Sequence, residues 1–136
     1  VGAQPMILND TILNNIMYGN SSDVSKEELV NYLQQFKLFE SSEKEVLNKR
    51  VSNKNLSSGQ MQKISFIRAL ANKIDVLILD EASANLDTET KKLIYSIIND
   101  LEITIINSTH SSDELIGYDH SISIYFQDNK RRFALN

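Results

Sequence analysis

Val76-Leu77-Ile78-Leu79-Asp80-Glu81 is a run of four apolar residues closed by two adjacent carboxylates. A strand buried on both faces of a parallel sheet reads as a continuous apolar run. The ligand crevice of such a sheet lies beyond the carboxyl ends of its strands, where Asp80 and Glu81 fall. Successive strand residues point to opposite sides, so one acid can face a Mg²⁺ ion and the other a water. Taken alone, the same ending also describes a strand that simply finishes in solvated acids.

Downstream, Leu93, Ile94, Ile97, Ile98 and Leu101 recur at helical spacing, and Ile103 to Asn107 form a second apolar strand. A short helix is expected after Ser111. This alternation of strand and helix predicts an α/β fold with a parallel sheet and flanking helices. His110 follows the second strand by the same logic that places Asp80 and Glu81, although a lone His is also commonly structural. His120 has no such placement and reads as structural. Ile122, Ile124 and Phe126 then alternate with Ser121, Ser123 and Tyr125, and Gln127-Asp128-Asn129-Lys130 can turn the chain into a last strand through Phe133 and Leu135. The end reads as a C-terminal β-hairpin.

Upstream, Leu56-Ser57-Ser58-Gly59-Gln60 opens a helix whose stripe is Met61, Ile64, Ile67, Leu70 and Ala71. Ser57 with Gln60 makes a capping box. A helix start offers free N–H groups and the positive end of a dipole, Gly59 permits close approach of a phosphate, and Ser57 adds a hydroxyl. The simpler reading is that Ser57 is a good cap. Asn9-Asp10-Thr11 caps a short helix carrying Ile12, Leu13, Ile16 and Met17 that Gly19 ends, and Ser25 with Glu28 starts an amphipathic helix bearing Leu29, Val30, Leu33 and Phe36. Residues 41–55 are charged, with Val46, Leu47 and Val51 as anchors, and read as a short helix followed by a loop.

The 136 residues carry 14 Lys plus Arg against 18 Asp plus Glu, a formal net charge of −4. No broad basic surface is on offer to a nucleic-acid backbone, and none is expected as a partner. The absence of cysteine removes disulfides, thiolate metal sites and a thiol nucleophile, and fits a reducing compartment. No run approaches the roughly 18 apolar residues of a membrane span, so the chain is expected to be soluble, with any membrane connection made through another domain or chain.

Taken in order, Gln4, the Leu-Ser-Ser-Gly-Gln helix start, Arg68-Ala69-Leu70, the strand closed by Asp80-Glu81, Ser83-Ala84-Asn85-Leu86-Asp87 and Ser108-Thr109-His110 form one series that resembles the ATP-binding cassette (ABC) family. The resemblance runs from a Q-loop at Val1-Gly2-Ala3-Gln4-Pro5 to the hairpin after a switch histidine. It implies a partial P-loop NTPase fold: a helical, signature-bearing unit over residues 1–72 and the C-terminal part of the RecA-like core over 73–136. It implies that ATP and Mg²⁺ are the cofactors. Gln4 would contact Mg²⁺ and the attacking water, Asp80 would hold Mg²⁺, Glu81 would act as general base and His110 would contact the γ-phosphate. Ser57, Ser58, Gly59 and Gln60 would meet the ATP of a second nucleotide-binding domain, with Ala84 to Asp87, Asp87 included, as the loop crossing that dimer interface. Met6-Ile7-Leu8-Asn9-Asp10-Thr11-Ile12 followed by Asn15-Ile16 looks like the exporter branch, which implies a transmembrane domain as partner and a place on the cytoplasmic face of the membrane.

Three departures stand out. Ser58 occupies a position where the family usually has Gly, and Asn48 to Lys54 lack the acidic, Gly-rich character that exporters often show before the signature. The glycines are Gly2, Gly19, Gly59 and Gly117, and no pair fits the G-x-x-x-x-G-K-[ST] pattern of a P-loop. The chain is therefore expected to be a piece of a longer protein, to bind ATP poorly and hydrolyse it negligibly by itself, and to expose apolar surface that favours oligomerisation. Two other readings stay open: a non-catalytic, nucleotide-gated dimerisation or regulatory module, and a soluble cassette protein of DNA repair or translation.

Overall fold

A computed structural model describes residues 1–39, 44–84, 86–110 and 118–135. The chain starts against the strand discussed above, then builds a helical unit, and returns to complete a parallel pair. β1 (Asp10–Thr11) leads directly into α1 (Ile12–Met17), capped by Thr11, whose side chain accepts from Asn14 N. Gly19 has φ +73, a left-handed turn that a side chain would strain. α2 (Lys26–Gln35) is capped by Ser25, which accepts from Glu28 N. A 3-10 helix (Lys44–Asn48) then leads into β2 (Arg50–Val51), which pairs antiparallel with β1. That small sheet was not foreseen in the sequence, where residues 41–55 read as a short helix followed by a loop.

α3 (Ser58–Leu70) shows both halves of the expected capping box, with Ser57 Oγ accepting from Gln60 N and Gln60 Oε1 accepting from Ser57 N. It packs on α1 and α2. Phe36 and Phe66 stack at 6.4 Å within a buried cluster that also takes Ile12, Ile16, Leu33, Leu47, Ile64 and Ile67. Apolar spacing on each helix thus converges on one core, as amphipathic periodicity requires.

β3 (Val76–Asp80) and β4 (Thr104–Ser108) pair in parallel, in register from Val76↔Thr104 to Asp80↔Ser108, joined through α4 (Thr88–Asn99). On β3's other side Val1 and Gly2 run alongside: Val1 N donates to Ile78 O, Asp80 N donates to Val1 O, and Gly2 bridges Asp80 in parallel. The fold is α/β, with a small parallel sheet and flanking helices, as expected for part of a P-loop NTPase.

One detail differs from the sequence reading. A continuous apolar run predicts burial on both sides, yet only Leu77 and Leu79 are buried, while Val76, Ile78 and Ile106 stand on a bare face. These residues supply the covering for one sheet face only. The C-terminal hairpin behaves likewise. β5 (Ile122–Gln127) and β6 (Lys130–Leu135) pair from Ile122↔Leu135 to Gln127↔Lys130 around Asp128 and Asn129, both left-handed as a tight two-residue turn demands. Ile122, Ile124, Phe126, Phe133 and Leu135 share one face and all are exposed. The short helix expected after Ser111 lies outside the described residues, as does Asn85. Among the described residues no helix is long and apolar enough to cross a membrane.

Candidate functional site

The carboxyl ends of β3 and β4 bring the first pair of predicted residues together. Asp80 is the last residue of β3 and emerges on the bare face, opposite Ser108. Glu81 then turns into the left-handed region with φ +48, a conformation that costs a non-glycine residue about 1–2 kcal/mol. The strain is offset by backbone bonds on both sides of it: Glu81 N donates to Ser108 O at 2.9 Å and Ala84 N donates to Glu81 O at 3.1 Å. The turn aims the Glu81 carboxylate across the sheet end, where Oε1 lies 2.9 Å from His110 Nε2. The imidazole is almost fully exposed, at 92 %, so water can reach the pair freely.

Gln4 reaches the same region by another route. Because Gly2 is bridged to Asp80, the chain leaves β3's edge beside the carboxylates and Gln4 follows two residues later. Its exposed side chain lines a cavity of about 370 Å³ together with Ser58, Gln62, Ala82 and Leu86. One concavity therefore holds Gln4, the first residue of α3 and the residue after Glu81. Glu81 and His110 do not line it; they sit at the adjoining sheet end.

The remaining predicted residues have visible structural duties. Ser57 is exposed, and its oxygen accepts from Gln60 N while its own hydrogen remains available to a further acceptor. Gln60 uses Oε1 on the cap. At Gly59 an added Cβ would come no nearer than 3.9 Å to Thr90 and 4.0 Å to Leu86, which is ordinary contact. Neither packing nor backbone conformation within this chain demands glycine there. Asp87 caps α4 with both carboxylate oxygens, accepting from Thr90 N and from Thr90 Oγ1 at 2.8 Å each. The Thr90 backbone bond, helped by the hydroxyl, holds the Asp87 carboxyl below its ordinary value.

Sequence reasoning missed a set of buried polar residues. Asn15 is fully buried; its Oδ1 accepts from Leu8 N at 2.8 Å and its Nδ2 donates to Leu8 O and Thr11 O. Gln62, also buried, donates to Gly2 O at 3.0 Å. Arg68 donates from Nε to Asn15 O at 2.7 Å and from its guanidinium NH₂ to Met6 O at 2.9 Å. A polar residue inside an apolar stripe was the available signal: Asn15 adjoins Ile16, and Gln62 adjoins Met61. Ser83 and Asn107 each meet the Tyr95 hydroxyl at 3.3 Å, tying the loop after Glu81 to α4 and β4.

Residues 3–84 match the family model described as ABC transporter. The chain belongs to the ABC transporter family. The motif order had pointed to the ATPase domain of that family, exporter type, and the match together with the flippase relatives that follow bears it out. The ATP-dependent lipid A-core flippase of Pseudoalteromonas translucida (strain TAC 125) is 37% identical over 135 residues, covering 95% of this chain and 23% of its own length. Flippases of the same name from Idiomarina loihiensis (36% identical; 84% and 22% covered) and Haemophilus influenzae strain Rd (34%; 88% and 22%) are similar to it as well. The chain thus spans less than a quarter of the length of these ABC transporter relatives.

Proposed function

We propose that this chain is part of the nucleotide-binding domain of an ABC exporter, and that in the full-length protein its residues help hydrolyse ATP to drive transport. The meeting of Glu81 and His110 at 2.9 Å across the ends of two parallel strands carries this reading. It supports a general base and a phosphate contact placed within one small volume, beside a metal-binding acid. Residues 1–72 would form the helical unit and 73–136 the core part.

Mg²⁺ is held typically by one or two carboxylates with waters and substrate phosphates, and the exposed Asp80 carboxylate at a strand end suits that donor set. Bound Mg²⁺ would neutralise charge on the β- and γ-phosphates. Gln4 would contact the Mg²⁺ and orient the attacking water. Glu81 would accept the water's proton as its oxygen bonds to the γ-phosphorus and the bond to the β-phosphate oxygen breaks. His110 would leave Glu81 and donate to a γ-phosphate oxygen. Ser57, Ser58, Gly59 and Gln60 would face the ATP of a second domain, for which the free Ser57 hydrogen and the uncrowded Gly59 are suitable. Asp87 would fix the start of the crossing loop by capping α4. A P-loop must come from elsewhere in the full-length protein, so this chain by itself is predicted to turn over no measurable ATP. The relatives' names make a lipid-like amphiphile the first cargo to test.

The test is Glu81→Gln in the full-length protein. ATP turnover should fall by about 10²-fold or more while an ATP-bound dimer accumulates. Unchanged turnover would reject Glu81 as the base. A wild-type protein that binds ATP without hydrolysing it would instead favour the regulatory reading, for which Ser58 in place of the usual glycine is the supporting observation.

A further inference from the structure

Among the described residues no hydrogen bond holds the Gln4 side chain, yet the backbone on either side of it is gripped. Gly2 O, two residues before, accepts from Gln62 Nε2 at 3.0 Å, and Met6 O, two residues after, accepts from the Arg68 guanidinium at 2.9 Å. Both donors stand on α3, the helix whose first turn carries Ser57 to Gln60. Six residues apart, they are separated by about 9 Å along the helix axis, within reach of the five-residue segment they hold, which spans at most about 14 Å.

Arg68 is itself held. Its Nε donates to Asn15 O at 2.7 Å, so the guanidinium bridges α1 to the segment at Met6, and the Asn15 side chain fixes Leu8 through N and O. Gly2, Met6 and Leu8 are therefore three fixed points, and Pro5 restricts the short free stretch Ala3-Gln4-Pro5 further. Gln62 is buried at 3 % exposure, so its bond to Gly2 O is partly shielded from competing water, whereas the Arg68 bond to Met6 O is exposed and is held in place by the second bond of the same guanidinium to Asn15 O.

We propose that Gln62 and Arg68 are positioning residues for Gln4: α3 grips the segment from Gly2 to Met6 in addition to the contacts of Val1 and Gly2 with β3, so that movement of the helix start at Ser57 reaches Gln4 through these two bonds. This rests on the reading of Gln4 as the residue that orients Mg²⁺ and water. A displacement of about 1 Å at a positioned group is enough to cost up to a hundredfold in rate.

The experiment uses the full-length protein. Gln62→Met, close in shape but lacking the donor, should lower kcat by about tenfold to a hundredfold with the KM for ATP within about threefold. In a Gln4→Ala background the same change should cost nothing more, because the residue acts only through Gln4. Arg68→Lys, which keeps the charge and loses the fork, should behave alike, and serves if Gln62→Met does not fold. Independently of turnover, hydrogen exchange of peptides covering residues 2–8 should quicken in either variant while that of α4 stays unchanged. An equal loss of rate with Gln4 already removed, or unaltered exchange over residues 2–8, would overturn the proposal. If wild-type protein hydrolyses no ATP the functional reading fails, and the exchange measurement still judges the grip.

Discussion

His110 Nε2 and Glu81 Oε1 lie 2.9 Å apart although their residues come from the ends of two different strands, and the imidazole is 92 % exposed. An exposed pair of this kind is worth at most about 1 kcal/mol. His110→Ala should therefore leave the thermal midpoint of the full-length protein nearly unmoved while lowering ATP turnover by about 10²-fold, the cost of losing one donor to the reacting phosphate. Paired melting and ATPase assays check it, and a variant that loses both together would place His110 in the scaffold.

Asp80 is expected to act through the metal. Asp80→Asn keeps the shape at the end of β3 and removes the charge, so the Mg²⁺ concentration giving half-maximal turnover should rise by about tenfold or more. Titrating Mg²⁺ at fixed ATP reads this, and an unshifted curve with reduced maximum would reject Asp80 as a ligand.

Asn15 should matter for stability. Its fully buried amide satisfies Leu8 N, Leu8 O and Thr11 O. Asn15→Leu leaves Leu8 N without a partner and removes one bond each from Leu8 O, which keeps Asp10 N, and from Thr11 O, and should cost about 1–3 kcal/mol in denaturant unfolding. A neutral result would mean that the segment after Gln4 rearranges at no cost.

Asp87 sets a pH dependence whose sign follows from its cap. The folded state holds the carboxyl below its ordinary value of 3.8, chiefly through the Thr90 N–H and then its hydroxyl. The unfolded chain thus binds the proton more readily. The stabilisation is complete above pH 3.8 and drains away as the pH falls from there through the lower folded value. Asp87→Asn retains a capping oxygen but not the titration, so its unfolding curve should be flatter with pH in that acid window and close to wild type at neutral pH.

Strong local patterns were readable without coordinates: the Ser57–Gln60 capping box, the strand ending at Asp80 and the turn at Asp128-Asn129 each announce themselves within a few residues. Pairing between distant short segments did not, because two-residue strands such as Asp10–Thr11 and Arg50–Val51 carry too little periodicity to register. The same holds at the candidate site. Glu81 and His110 follow from strand order, whereas Gln62 and Arg68 act on carbonyls some sixty positions away, and no local signal says which carbonyl a buried donor will find. The bare faces of β3 and the hairpin are a third case, since an apolar run declares that it wants cover without saying what supplies it.

The uncovered side of the hairpin has a kinetic meaning. A two-stranded ribbon is only marginally stable in water, and here Ile124 and Phe133 gain almost nothing from their surroundings. With that side uncovered, β5 and β6 should open and reclose far more often than α3 does. Any surface that packs on Ile124 and Phe133 would then register as a slowing of amide exchange in both strands.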